Sequence, residues 1–491
     1  MQNELSSRAV TGEREAKRKN RRTVFACVLL ILCAVFGALL AGGLFFGTSE
    51  WRLEIFTRSE TVYIIMVLAV LLPLMLLFIS ISVRARYRDV GKMPKYVCDL
   101  AETVFDRLDV YGEDAVLNPS SAEADEEERG EGAPRFYGLR ETDERVKEKR
   151  EVLYNDGIRL EELCERFRKY CASKLRLYYD ITDVRRFVAS LSVTQLLIMQ
   201  GMSGTGKTSL AYAFGEFLQN QSTIVSIQPM WKERTDLIGY YNEFTKRFNE
   251  TLLLQKMYEA NYSKEMYITV LDEMNIARVE YYFAEFLSLL EIPDPEKRYL
   301  PVVSDRWEND PKGLVEGQIR LPTNMWFMGT VNNDDSTFAI SDKVYDRAMV
   351  MNLDYKCEPF ECEETYPIRI TWKHWEKLVR EAREEYGITD RNLRRIAKLD
   401  EYLIEKFRIT FGNRIMKQIK GYVPVYIACG GKELDAIDDI LSKKVLRKLE
   451  AQNPVYVKSM AEPLCEFLDG LFGYDGMAQC KEYLRRLERN A

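Results

Sequence analysis

The stretch Leu196–Leu218, "LLIMQGMSGTGKTSLAYAFGEFL", joins a short apolar run to a glycine-rich turn and then to a helical pattern. Its turn, Gly201–Thr208, follows the pattern G-x-x-x-x-G-K-[ST]. Glycines let the backbone curl so that successive N–H groups face phosphate oxygens, and a helix N-terminus adds a favourable field for an anion. Because the motif directly follows a predicted strand and opens a predicted helix, it predicts a site for nucleotide phosphates.

The residues of this loop have separate predicted roles. Lys207 is expected to reach the β- and γ-phosphates, and the Thr208 hydroxyl is expected to hold Mg²⁺. The other positions are expected to surround the phosphates, and they are Gly201, Ser203, Gly204, Thr205, Gly206 and Ser209.

Two adjacent carboxylates, Asp272 and Glu273, lie inside the stretch "YITVLDEMNIARVEYYFAEFLSLLE". Taken alone they fit equally well the acidic first turn of a helix, which the helix dipole favours. The phosphate loop upstream decides between these interpretations, because such a loop works with an Asp that contacts Mg²⁺ through water from a second strand end. We therefore predict Asp272 at the metal and Glu273 as the general base that activates water. Asn275 and Arg278 follow directly and are expected either to order the site or to reach across a subunit boundary.

A third strand end reads "MWFMGTVNNDDSTFAISDKVYDRAMVM". Asn332 is expected to hold the attacking water or to sense the γ-phosphate, although "NNDD" is also ordinary turn chemistry. Arg347 precedes the last predicted strand, too far from the phosphate loop to serve its own nucleotide. It is expected either to reach a neighbour's site as an arginine finger or to form a surface salt bridge with Asp342 or Asp346.

The central part of the chain predicts an α/β fold with a parallel sheet covered on both faces, because short apolar strands alternate with helices. From about Asp354 the pattern is mostly helical, which predicts a helical subdomain, or lid, after the sheet. The candidate strands are Gln195–Gln200, Thr223–Gln228, Tyr267–Leu271, Met325–Gly329 and Ala348–Leu353.

Two uncharged apolar runs, Thr23–Gly47 and Thr61–Val83, are each long enough to cross a hydrocarbon core of roughly 30 Å. The first run is too long for the apolar core of a secretory signal, and a second follows closely. Lys and Arg residues are concentrated before the first run and after the second, with few in the short loop between them. This distribution predicts that both termini lie in the cytoplasm and that the protein is anchored in the cell (inner) membrane. The predicted domains are a basic tail (1–22), the membrane hairpin (23–83), a juxtamembrane helix with an acidic solvated linker (84–135), a helical segment (136–182), the α/β domain (183–354) and the lid with further helices (355–491).

Composition limits the function classes. The 491 residues carry a net charge of −6, which argues against a large nucleic-acid-binding face but leaves a local basic groove open. The ten cysteines include no CxxC pair, and the single histidine, His374, leaves a zinc site short of ligands. We therefore expect free, reduced thiols.

Four separated blocks together resemble AAA+ ATPases of the McrB-like group, named for the NTPase subunit of modification-dependent restriction systems. The resemblance spans about Asp183 to Gln452. A segment before the third strand end, beginning "EKRYLPVVSDRW", is similar to the hairpin insertion common in this group. The four blocks are "GMSGTGKTSLA", "QPMWKERTDLIGYYNEFTKRF", "LDEMNIARVEYYFAEFLSLLE" and "MGTVNNDDSTFAISDKVYDRA".

This resemblance implies Walker A and Walker B roles for the two motifs above, and a sensor 1 role for Asn332. It places Arg347 at the position of the trans-acting arginine. Arg414 is similar to the lid arginine, sensor 2, which would fold onto the γ-phosphate, with Arg408 nearby as the other candidate. The family also implies a ring, usually a hexamer. ATP is the expected nucleotide, and GTP stays open because the restriction subunit uses GTP without the NKxD motif of ordinary GTPases.

The expected function is a membrane-anchored AAA+ NTPase that couples hydrolysis to the remodelling or activation of a separately encoded partner protein. The restriction subunit has a domain that reads modified DNA where this chain has a membrane hairpin, so DNA recognition is not carried over. Two other functions stay open. One is the motor of a membrane-tethered defence system acting on nucleic acid, and the other is a nucleotide-switched membrane scaffold with little turnover.

Overall fold

The computed structural model describes residues 134–147, 152–332 and 337–490. Both predicted membrane spans and nearly all of the predicted linker lie outside these ranges. Among the helices of the described ranges, none combines the length and apolarity needed to cross a membrane.

The strands are β1 (Leu196–Gln200), β2 (Thr223–Ser226), β3 (Gly239–Asn242), β4 (Arg247–Glu250), β5 (Tyr267–Asp272), β6 (Tyr299–Pro301), β7 (Leu314–Val315), β8 (Gln318–Arg320), β9 (Met325–Val331) and β10 (Met349–Asn352). The helices up to β10 are α1 (Gly138–Lys147), α2 (Leu160–Tyr170), α3 (Ile181–Leu191), α4 (Lys207–Phe217), α5 (Arg234–Ile238), α6 (Leu252–Ala260), α7 (Val279–Tyr282), α8 (Ala284–Glu291) and α9 (Asp342–Tyr345). The later helices are α10 (Trp372–Glu385), α11 (Asp390–Phe407), α12 (Gly412–Ala428), α13 (Glu433–Lys444), α14 (Pro454–Phe472) and α15 (Ala478–Asn490).

Five strands form one parallel sheet in the order β10-β1-β9-β5-β2. The parallel sheet and the helical C-terminal region confirm the predicted α/β class. All five predicted strands are present, with ends that differ by one or two residues. Their apolar side chains alternate between the two faces, with Leu197 and Met199 of β1 in one buried cluster and Leu196 and Ile198 in the other. Helices cover both faces, which is why the central strands are apolar almost throughout.

Two small antiparallel elements interrupt the α/β pattern. The predicted hairpin insertion is a three-stranded sheet in the order β6-β8-β7. The "DLIGYYN" block contributes a second hairpin, β3–β4, that strand periodicity had not indicated. It depends on Gly239, which has φ +96°, because a Cβ there would lie 1.8 Å from the Asn249 carbonyl oxygen.

Arg135 corrects the predicted boundary of the solvated linker, of which it is the last residue. Its side chain is 2% exposed and forms ion pairs with Asp305 at 2.9 Å and Asp310 at 2.7 Å. The guanidinium also lies 4.5 Å from the ring centroid of Trp307. These partners explain why a charged residue is buried here. The packed structure therefore includes Arg135, and its carbonyl accepts a hydrogen bond from the Phe248 N–H at 2.7 Å.

The predicted helical segment 136–182 is less continuous than its sequence suggested. It contains α1 and α2, and α2 continues into one π-helical turn, Cys171–Leu175. Residues 152–159 between the two helices are not helical.

Candidate functional site

The glycine-rich loop curls over the carboxyl end of β1, and α4 begins at Lys207. Gly201, Gly204 and Gly206 have φ values of +148°, +76° and +92°, in a region that side chains rarely adopt. A Cβ at Gly201 would also lie 2.3 Å from the Leu353 carbonyl oxygen. The backbone conformation and the close approach of Leu353, directly after β10, therefore both require glycine at the start of this loop.

The side chain of Lys207 is 6% exposed and is folded against the loop. Its Nζ donates to the carbonyl oxygens of Gly201 at 3.0 Å and Met202 at 2.7 Å. Ser203 and Gly204, at the tip of the loop, are exposed. The loop thus presents backbone on the surface at the end of a buried strand, with the Lys207 ammonium group folded against the loop carbonyls.

A chain of hydrogen bonds joins this loop to the acidic strand end of β5. The Thr208 hydroxyl donates to Asp272 Oδ1 at 2.8 Å. Thr330 of β9 donates to the same oxygen at 2.8 Å and accepts from the Glu273 backbone N–H at 2.8 Å. Thr330 is in place because Leu271 pairs with Gly329 in the parallel register. The structure therefore brings three predicted residues together through one that sequence reasoning missed.

Thr208 and Asp272 are a suitable pair for Mg²⁺, which takes hard oxygen ligands and usually keeps several waters. Across the described ranges, no group of three or more His, Cys, Asp or Glu side chains could hold a metal ion. At a Mg²⁺ site of the predicted kind, phosphate and water would complete the two protein oxygens. When bound, the ion would neutralise negative charge on the phosphates.

Glu273 is exposed and adopts a left-handed backbone conformation, with φ +51°. Such a conformation costs a non-glycine residue roughly 1–2 kcal/mol, so the surrounding contacts must hold it. The hydrogen bond from its N–H to Thr330 is one such contact. This turn directs the chain away from β5 and leaves the carboxylate accessible to water beside Asp272.

Asn332 lies just past β9, at the wall of a cleft of about 430 Å³ that Gly201 also lines. Its carbonyl accepts a hydrogen bond from Asn275 Nδ2 at 3.0 Å, and Asn275 exchanges further hydrogen bonds with the backbone of Phe338. Arg278 stacks on the Phe338 ring with its guanidinium carbon 4.9 Å from the centroid. Of the two predicted roles for Asn275, the structure therefore supports ordering of the site.

Three more residues at the site had no clear sequence signal. The Tyr179 hydroxyl donates to the Gly206 carbonyl at 3.0 Å, and burial raises the pKa of this phenol well above its usual value. Arg447 and Arg486 come from the helical region and line the same cleft as Asn332. Their positions depend on how the helices pack on the sheet, which no local pattern reveals.

The structure places Arg347 and Arg414 away from the phosphate loop. Arg347 precedes β10, whose first residue pairs with Leu197 near the amino end of β1. Its guanidinium binds Glu291 at 2.8 Å, and Arg414 binds the other oxygen of the same carboxylate at 2.5 Å. Arg347 therefore pairs with Glu291, whereas Asp342, one of the two partners considered from the sequence, binds Arg447.

Residues 196–348 match the family described as the AAA domain, dynein-related subfamily. This segment is an AAA domain. As a P-loop ATPase domain it is a nucleotide hydrolase, and its sheet with a helical region after it fits the AAA+ core.

Solved structures give weaker similarities to the chain that carries this AAA domain. A candidate ATPase from Cytophaga hutchinsonii ATCC 33406 is 13% identical, with 62% of this chain and 85% of that chain covered and a TM-score of 0.39. A full-length MCM homologue from Methanopyrus kandleri is 10% identical, with 63% of this chain and 60% of that chain covered and a TM-score of 0.32. Both TM-scores are below 0.5, so the assignment rests on the family match and the site geometry. No curated protein matches the chain.

Proposed function

We propose that this protein is a membrane-anchored, ring-forming ATPase that uses ATP hydrolysis to remodel or activate a separately encoded partner protein. The predicted spans Thr23–Gly47 and Thr61–Val83 would anchor it, with the AAA domain in the cytoplasm. The McrB-like subgroup rests on the four sequence blocks described above. ATP is the proposed nucleotide, and GTP is the alternative that the experiment below distinguishes.

One observation carries the hydrolytic part of this proposal, namely the continuous hydrogen-bond chain Thr208–Asp272–Thr330–Glu273. It fixes the metal-binding pair and the backbone of the predicted general base relative to each other before any substrate arrives. Preorganised polar groups accelerate a reaction because they need no rearrangement in the transition state. In this arrangement Thr208 and Asp272 hold the metal, and Glu273 takes a proton from the attacking water.

The proposed ring is supported by the position of Arg347. The β10 residue closest to it, Met349, pairs with Leu197, four residues before Gly201. Four strand residues span about 13 Å, so Arg347 is at least that far along the sheet from its own phosphate loop. An arginine at this position is better suited to the nucleotide of a second copy, where it would stabilise transition-state charge.

The hydrolytic assignment is tested with the variant Glu273→Gln in the full chain. Removal of a general base lowers the rate by roughly 10²–10⁴-fold, whereas the neutral amide leaves the phosphate contacts in place. We expect loss of ATP hydrolysis with retained binding of a fluorescent ATP analogue. Glu285→Gln is the matched control, because Glu285 pairs with Arg234 rather than with a site residue. Equal rates in wild type and Glu273→Gln would refute the assignment, and a preference for GTP in the same assay would change the nucleotide.

The membrane anchor is tested by carbonate extraction of membranes that contain the full chain. Carbonate releases proteins that are bound only at the membrane surface. Two inserted apolar spans are therefore expected to keep this protein in the membrane pellet. Release of the full chain into the supernatant would contradict anchoring and leave the hydrolytic assignment untouched.

A further inference from the structure

The Tyr179 side chain packs against the phosphate loop from a segment outside the motif. It is 5% exposed, and its hydroxyl donates to the Gly206 carbonyl oxygen at 3.0 Å. A Cβ at Gly206 would lie only 3.2 Å from the same hydroxyl. Burial raises the pKa of the phenol, so the hydroxyl keeps its proton at neutral pH. Tyr179 is therefore a hydrogen-bond donor held directly against the backbone of the loop.

The Gly206 carbonyl accepts from two donors. Besides the Tyr179 hydroxyl, the Leu210 N–H donates to it at 2.9 Å as the first helical bond of α4. This carbonyl belongs to the same peptide group as the Lys207 N–H, and hydrogen bonds on one peptide group polarise each other. N–H groups at the beginning of a helix are the ones that bind phosphate. The bond from Tyr179 therefore strengthens a donor of the phosphate loop and fixes the orientation of its peptide group.

An unusual stretch of backbone brings Tyr179 to the loop. After the π-helical turn Cys171–Leu175, Arg176 has φ +54°, in the left-handed region. The Leu177 N–H donates back to the Cys171 carbonyl at 2.9 Å, and residues 176–180 then form neither helix nor strand. π-helical turns and left-handed non-glycine residues are uncommon and often occur at functional sites. Here they end α2 so that Tyr179 reaches Gly206 before α3 begins.

The backbone of Tyr179 is also attached to the segment that leads from the sheet to the helical region. This connecting segment, residues 353–371, joins β10 to α10. Arg168 of α2 donates from Nε to the Tyr179 carbonyl oxygen at 3.0 Å, and its guanidinium carbon lies 4.0 Å from the centroid of the Phe360 ring. The Tyr178 ring packs edge-on against Phe360, with centroids 5.6 Å apart. A movement of the connecting segment therefore acts on Tyr179 through Arg168 and Tyr178.

We propose that Tyr179 is a positioning residue that holds the phosphate loop, through the Gly206 carbonyl, in the conformation that binds the nucleotide diphosphate, and that Arg168 couples this contact to the connecting segment. The proposal rests on the proposed ATPase function and deepens it. Tyr179 acts on the nucleotide through the loop backbone. Because ATP and ADP both contain the diphosphate, its effect should be the same for both. Occupation of the loop and the position of the connecting segment then influence each other.

The variant Tyr179→Phe in the full chain tests the positioning role. It keeps the ring and removes only the donor, and one hydrogen bond changes affinity by about 2- to 10-fold. We expect fluorescent analogues of ADP and ATP both to bind more weakly by that factor. For ATP hydrolysis the KM should rise, with kcat at saturation within about twofold of wild type. A purely structural role would instead lower the folded fraction, and with it kcat, at unchanged affinity.

Tyr267→Phe is the matched control. Tyr267 is equally buried, and its hydroxyl donates to Glu259 Oε1 at 3.0 Å at the amino end of β5. This variant should leave both affinities unchanged. An unchanged affinity for ADP in Tyr179→Phe, or an equal loss in Tyr267→Phe, would overturn the proposal. Undiminished hydrolysis by Glu273→Gln would instead overturn the proposed function, so the two failures are distinguishable.

A double-mutant cycle tests the coupling. Arg168→Met removes the donor to the Tyr179 carbonyl and keeps an unbranched side chain. If Arg168 acts through Tyr179, Arg168→Met should weaken ADP binding in the wild-type background and cause no further loss in the Tyr179→Phe background. An equal loss in both backgrounds, or none in either, would show that Arg168 does not act through Tyr179 and would overturn the coupling.

Discussion

The two ends of the central sheet differ in how completely the polar and charged groups there are paired within one chain. At the carboxyl end, Asp272 accepts hydrogen bonds from the hydroxyls of Thr208 and Thr330 within the same subunit. At the amino end, Arg347 and Arg414 bind the two oxygens of one carboxylate, Glu291, so two positive charges face one negative charge. The first end has the groups that we propose to bind and hydrolyse a nucleotide, whereas the second has one arginine more than its carboxylate neutralises.

This difference separates two kinds of residue. Residues of the carboxyl end should act on the nucleotide of their own subunit, so an intact neighbour cannot replace them. Residues of the amino end should act on the neighbour's nucleotide, so mixed rings can restore their function. The predictions below test this separation, from the largest expected effect to the smallest.

Thr330→Val removes the hydroxyl that joins Asp272 to the Glu273 backbone and keeps the shape of the side chain. A hydrogen bond to a charged group contributes about 1.5–3 kcal/mol, so we expect the ATPase rate to fall about 10- to 100-fold. Thr330→Ser keeps the hydroxyl and should retain most of the rate. Mixing Thr330→Val with Lys207→Ala subunits should give no recovery, in contrast to a mixture of Arg347→Ala with Lys207→Ala subunits. Recovery in that mixture would contradict the division between the two ends.

Gly329→Ala tests how tightly the carboxyl end is packed. A Cβ at this position would lie 2.0 Å from the Met274 sulfur, which is fully buried directly after Glu273. Overpacking of this kind costs about 1–3 kcal/mol, measured as the free energy of unfolding in urea. The control is Gly470→Ala in α14, where no atom lies within 4 Å of the new Cβ. If both variants are equally stable, the packing around Met274 does not hold Glu273.

Lys444→Met tests the attachment of the amino end to the helical region. Burial lowers the pKa of Lys444 to about 7, assisted by Arg447, Lys448 and Arg414 and opposed by Asp346. The unfolded chain keeps this amine protonated to about pH 10, so the wild-type free energy of unfolding should rise between pH 7 and pH 9 by about 1 kcal/mol per pH unit from this group.

Urea titrations at pH 7, 8 and 9 measure this dependence. Lys444→Met should lose the rise, and Lys420→Met, at an exposed lysine of α12, should keep it. The same pH dependence in wild type and Lys444→Met would show that Lys444 is not the group responsible.

The carboxyl end was predictable because its signals are local. Each of the five sheet strands is a short apolar run, and the side chains at the ends of β1, β5 and β9 include the residues predicted to carry chemistry. Parallel strands bring such ends to one edge, so Lys207, Asp272 and Asn332 were predicted to lie near one another without knowledge of the packing. Thr330 was missed because its role follows from the register between β5 and β9, which fixes its neighbour 58 positions away in the chain.

The amino end was predictable only in part, for the opposite reason. Arg347 and Arg414 were selected, but their common partner Glu291 is distant from both in sequence and resembles an ordinary acidic residue at a helix end. The same limit explains why Arg135 was assigned to a linker from composition. Its partners Asp305 and Asp310 lie 170 and 175 positions later in the chain, so no local pattern indicates them. Contacts between distant charged residues leave no periodic pattern in the sequence.

The central claim is that two copies of the chain together form each active site. Its most direct test is the specific ATPase rate of the wild-type full chain over a hundredfold range of protein concentration, with the oligomeric state measured in parallel. A site completed by a second copy predicts a rate that is low where the chain is monomeric and that rises to a plateau as rings form. A full and constant rate in monomers would show that one chain holds the whole catalytic apparatus, and would contradict the account.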